Sequence, residues 1–69
     1  MTRGTVVSYD PDDETGFIMP DEEDDRIPFD RNSLLDYAGE EDPAEGDRVS
    51  YRVEGGLAGL WATHVRRID

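Results

Sequence analysis

The chain has 69 residues and a mass of 7.8 kDa, which leaves room for one small domain over residues 1–69. Eighteen acids face seven bases for a net charge of −11, and every base is an arginine. With no cysteine there is neither a disulfide framework nor a thiolate metal site. The charge balance also lacks the basic face that marks most nucleic-acid binders and the polybasic patch that marks membrane-surface binders.

A domain of this size buries only about 60% of the surface its unfolded chain exposes, so the core has to be efficient. The 35% hydrophobic content leans toward disorder. The patterning leans the other way, because the apolar residues fall in short alternating clusters separated by turn residues. No apolar run approaches the ~20 residues of a membrane span, and Met1-Thr2-Arg3-Gly4 lacks the apolar stretch of a signal peptide. The expectation is a folded, cytoplasmic protein with no membrane contact.

In chain order, Thr5-Val6-Val7-Ser8-Tyr9 is β-branched and aromatic and stops at the turn residues Asp10-Pro11-Asp12-Asp13. Gly16-Phe17-Ile18-Met19 is a second strand ending at Pro20, and the acids from Asp21 to Asp25 form a solvated loop. Arg26-Ile27-Pro28-Phe29 is a third strand with Ile27 and Phe29 on one face; Pro28 has no backbone donor, so the strand is locally an edge or position 28 points its missing N–H outward. Asn32 to Tyr37 reads as a short helical turn, and residues 38–46 as acidic loop broken by Gly39, Pro43 and Gly46. From Asp47 to Glu54 the alternation is clean, with Val49, Tyr51 and Val53 on one face. Gly55 to Gly59 is a turn, and Leu60 to Ile68 the last strand. Five short strands without a real helix predict an all-β fold, a small five-stranded barrel whose closure removes exposed edges.

Several of these segments resemble the cold-shock domain family. Gly4-Thr5-Val6 is similar to its opening G-[TK]-V, and Gly16-Phe17-Ile18 with Pro20 to the end of its first RNA-binding motif, K-G-F-G-F-I-x-P. Ile27 to Leu34 stands where V-F-V-H-F-S-A-I would be, Glu45 to Tyr51 resembles E-G-Q-x-V-S-F, and Gly59 to Val65 resembles G-P-Q-A-A-N-V. The order is right, with about one extra residue in the 36–44 loop. The resemblance runs from Gly4 to Ile68 and implies an OB-type barrel with Val6, Ile18, Ile27, Phe29, Val49, Tyr51 and Val65 as its scaffold.

It also implies binding of single-stranded RNA or DNA by aromatics on the outer face, and there the chain departs from the pattern. Ser8, Asp13, Thr15, Pro28 and Asp30 occupy positions where the family places contact residues. The candidates left for stacking are Tyr9, Phe17 and Arg31 as central contacts, with Tyr37 and Trp61 at the margins. Each has a plainer reading: partial core packing for Tyr9 and Phe17, an ordinary ion pair for Arg31, a cap on the barrel end for Tyr37. Trp61 shares the parity of core residue Val65 under simple alternation, and coiling in a small barrel can break that parity, so core and outward placements both stand.

High acidity without lysine resembles proteins of salt-in halophiles, where self-repulsion is screened and counterion release contributes little to binding. The functional expectation is weak, largely sequence-tolerant, RNA-chaperone-like binding of single strands. The alternative is a barrel that has lost this activity and presents its acids to a basic protein partner. No catalytic constellation, metal site or cofactor motif is apparent. His64 is a lone strand histidine, of a kind that is usually structural, and Asp10 to Glu14 lacks the Gly and Glu spacing of a calcium loop.

Overall fold

Each β-branched and aromatic cluster forms a strand, and most strands run further than the alternation alone sets. In the computed structural model, which describes residues 2–37, 41–57 and 59–68, these are β1 (Thr2–Asp10), β2 (Thr15–Pro20), β3 (Ile27–Asp30), β4 (Arg48–Gly56) and β5 (Gly59–Arg67). Residues 38–40 of the expected acidic loop, and Ala58 of the expected turn, lie outside the described residues. The strands form one antiparallel sheet in the order β3-β2-β1-β4-β5. The sheet curls until β3 comes against β5. Closure is made just past β3, where Leu34 bridges Val65 in parallel and the Leu35 N–H donates to the Val65 carbonyl at 2.9 Å. This is the five-stranded OB-type barrel that the motifs imply.

The scaffold residues point inward together. Val6, Ile18, Ile27, Phe29, Val49, Tyr51 and Val65 are all buried, joined by Ala62. Pro28 sits on β3, the end strand of the hydrogen-bonded order, as its missing donor requires. The helical turn is shorter than expected and begins one residue earlier, at Arg31–Ser33. Asp30 sets its start by accepting from the Ser33 N–H and hydroxyl, and Leu34 ends it by leaving to bridge Val65.

Two β-bulges decide which face each side chain takes. On β1, Val6 pairs with Ile18 and Ser8 with Phe17, so Val7 is an extra residue. Beyond it Ser8 faces out and Tyr9, opposite Gly16, faces in. On β5, Ser50 pairs with Arg66 and Arg52 with Thr63, so His64 and Val65 together oppose Tyr51. His64 takes a φ of 53°, a left-handed conformation in which histidine is enriched among non-glycine residues. This bulge lets Ala62 and Val65, three apart, both enter the core, and it frees Trp61 from the parity of Val65.

His64→Val places a β-branched side chain in that left-handed conformation and is expected to cost about 1–3 kcal/mol in urea unfolding. His64→Gly should cost clearly less. Equal stability of the Val and Gly variants would mean that the bulge does not hold His64 in this conformation.

Candidate nucleic-acid interface

The outer face of the barrel is built from rows of side chains that strand register brings side by side. Ser8, Phe17 and Pro28 form one row across β1, β2 and β3; Asp10, Thr15 and Asp30 form the next. Barrel closure brings β5 to the free side of β3, and Trp61 lines an open concavity with Thr15, Pro28 and Asp30. Phe17 and Trp61 are each 39% exposed, too much for core residues and enough to offer a ring face. Pro28 lies beside both.

Arg26, just ahead of β3, folds back so that its guanidinium carbon is 5.0 Å from the Phe17 ring centroid. This cation–π contact puts a planar cation on the aromatic that the rest of the face leaves open. The sequence assigns Arg26 only to the third strand, and Pro28 to a position where the family places a contact residue. The pairing of Phe17 with Pro28 across β2 and β3 is the signal that connects them, and register is not visible in one chain.

The other candidates lie elsewhere. Tyr9 is half-buried on the inner side, its ring stacked on Phe29 with centroids 6.0 Å apart and planes 16° from parallel. The stack crosses Gly16, where a Cβ would collide with the Ser8 carbonyl oxygen and come within 2.9 Å of the Phe29 ring. Tyr9 and Phe17 are therefore on opposite faces, because the Val7 bulge reverses the parity between them. Arg31 pairs with Asp42 at 3.1 Å, the ion-pair alternative to stacking. Tyr37 is 8% exposed; its hydroxyl donates to Asp47 Oδ2 at 2.7 Å and its ring lies under Arg67, 4.5 Å away. Of the five candidates, the structure brings Phe17 and Trp61 to one exposed face.

Arginines fasten the acidic loops to the barrel. Arg67 holds Glu41 through two contacts of 2.8 Å, Arg66 reaches Asp36 at 3.5 Å, and Arg48 grips Asp21 at 2.6 and 2.7 Å. Hydrogen bonding to Arg48 holds the Asp21 carboxyl below its usual value. Burial, then the bond to Asp47, pushes the Tyr37 phenol well above its ordinary value.

These features define an OB-type barrel with a partly aromatic outer face. No protein-family model and no curated protein matches the chain. Among solved structures it is similar to Drosophila Unr CSD456, at 25% identity and a TM-score of 0.80. The match covers 99% of this chain and 26% of that one, so the chain spans about a quarter of that structure's length. The chain has a cold-shock-domain-like fold.

Because the folded-state value of Tyr37 is raised, its stabilising effect is complete below about pH 10, the ordinary tyrosine value, and is lost as pH rises beyond it. Denaturant midpoints measured from pH 8 to 11 should fall at the alkaline end. Tyr37→Phe should lower stability near neutrality by about 1.5–3 kcal/mol, the worth of a hydrogen bond to a charged group, and should flatten the alkaline loss. A wild-type slope unchanged in Tyr37→Phe would show that this phenol is not its source.

Proposed function

We propose that the chain is a binding domain, not an enzyme, and that it binds single-stranded nucleic acid weakly and with little sequence preference. The observation that carries this reading is the pair of half-exposed rings, Phe17 and Trp61, on one outer face of a cold-shock-like barrel, flanking Pro28, with Arg26 stacked on Phe17. A base can stack on any exposed aromatic whatever its identity, which gives affinity without sequence readout. Arg26 adds a guanidinium that stacks on a base or pairs with a phosphate. An RNA-chaperone-like role, holding strands unpaired for short times, follows from weak and sequence-tolerant contacts.

The surrounding charge limits affinity in dilute salt. Asp30 lines the same concavity as Trp61, and Glu54 lies opposite Trp61 on β4. At 0.1 M salt this repulsion reaches about 10 Å; at 1 M it reaches about 3 Å. The proposal therefore includes a high-salt working environment, in which stacking persists and repulsion is screened. The competing reading, a barrel that has lost nucleic-acid binding and meets a basic protein, draws support from the same acids.

Titration with oligo-dT and oligo-U at 0.1 M and 2 M KCl, followed by Trp61 fluorescence, should show quenching that does not weaken steeply with salt. Phe17→Ala should weaken binding by roughly 1–3 kcal/mol, or about 5- to 150-fold, and Tyr37→Phe should leave it unchanged. Absence of binding at both salt concentrations overturns the reading, and a steep loss with salt overturns its stacking basis. For the barrel itself, screening of the −11 charge should raise the melting temperature between 0.1 M and 2 M KCl. A relief of about 1 kcal/mol corresponds to ~4–8 °C in a domain of this size. A falling melting temperature would contradict adaptation to salt.

A further inference from the structure

Beside the aromatic face, and opening toward the tip of the β4–β5 hairpin, lies a groove that nucleic-acid binding does not explain. The hairpin outruns the barrel. Val53 pairs with Ala62 and Leu60 with Gly55 on the inward face, yet Val53 is half-exposed and Leu60 is 63% exposed. Together with Pro20 and Ile27 they give the groove apolar walls. Tyr51 lies at its floor, 1% exposed, and its hydroxyl has no hydrogen-bond partner among the described residues. A buried hydroxyl without a partner carries the full cost of its lost hydration.

The rim of this groove is acidic. Glu23 and Asp25 border it, and at Pro20 and Glu23 it adjoins a second concavity lined by Thr2, Arg3, Asp21 and Glu22. Arg48 grips Asp21, and Arg3 lies in the second concavity; Arg26 borders the groove while its guanidinium sits over Phe17. Glu22, Glu23, Asp24 and Asp25 are exposed in one unbroken run. Apolar walls, an unsatisfied hydroxyl and an adjacent carboxylate run are the complement of an extended protein segment. Such a segment has an apolar side chain for the groove, a peptide group for the Tyr51 hydroxyl, and an arginine or lysine next in line for the carboxylates. A phosphate backbone would meet repulsion at the same rim.

We infer that this groove docks an extended segment of a partner protein in which apolar residues alternate with basic ones. Its recognition unit is the Val53–Leu60 wall, the Tyr51 hydroxyl and the 22–25 carboxylates. The occupant is a peptide and not a nucleic-acid strand.

The probe is an acetylated, amidated hexapeptide alternating leucine and arginine, titrated into the 15N-labelled protein in 0.1 M salt. Its amide shifts should concentrate at Ile27, Val53 and Leu60. The same peptide with serine for leucine, or with glutamate for arginine, should lose those shifts. Leu60→Asp, at an exposed position, should weaken binding about tenfold or more. Tyr51→Phe provides the test that folding defects cannot imitate. It removes an unpartnered hydroxyl, so the unfolding midpoint should stay or rise, while peptide affinity should fall about 5-fold or more. The inference is overturned if the hexapeptide leaves the groove amides unmoved, if the serine peptide binds as well, if Tyr51→Phe binds unchanged, or if oligo-dT moves the same amides in place of the peptide.

Discussion

Closing a five-stranded sheet on itself within so short a chain is the constraint on which the other features depend. Strands that wrap a barrel this small must bend, and here they bend where one strand carries one residue more than its partner. The Val7 bulge turns Tyr9 in and Ser8 out; the His64 bulge turns Val65 in and lets Trp61 out. The Leu34 and Leu35 contacts with Val65 then lock the sheet into a barrel. The face that carries Phe17 and Trp61 is a by-product of that closure, since β5 reaches β3 only when the ring is complete.

Charge is organised around the same closure. Among the described residues, four arginines make ion pairs, and each pair ties an acidic loop to a strand or to the turn after β3. Exposed pairs of this kind contribute about 0–1 kcal/mol each, so they position loops more than they stabilise the core. The acidic run after β2 is divided by this: Asp21 belongs to the fold through Arg48, while the four acids that follow are exposed.

Much of the fold is legible in the sequence because it rests on local signals. Alternation in Val49, Tyr51 and Val53, β-branched clusters and turn residues marked the strands, and the motif order marked the barrel and its seven scaffold positions, all of which are buried. The outer face was harder to read, since it depends on register. A bulge adds one residue to a strand without any local signature, yet it reverses every side chain beyond it. Tyr9 looks like a partner of Phe17 for that reason and instead stacks on Phe29. Arg31 and Tyr37 were ambiguous for another reason. Their partners, Asp42 and Asp47, lie in an acidic stretch where many carboxylates are within reach, and only the folded chain selects one. The contact of Arg26 with Phe17 spans the whole acidic loop, so no local pattern in the sequence carries it.

The arginine pairs also tie together segments far apart in the chain, each one far weaker than a covalent cross-link. Three of them join segments 26 to 30 residues apart: Arg67 with Glu41, Arg48 with Asp21, and Arg66 with Asp36. Without cysteine, these staples are indifferent to redox state but respond to ionic strength. The same salt that screens repulsion between the solvated acids loosens the staples, so in strong brine cohesion falls back on the apolar interior and on the backbone closure at Val65.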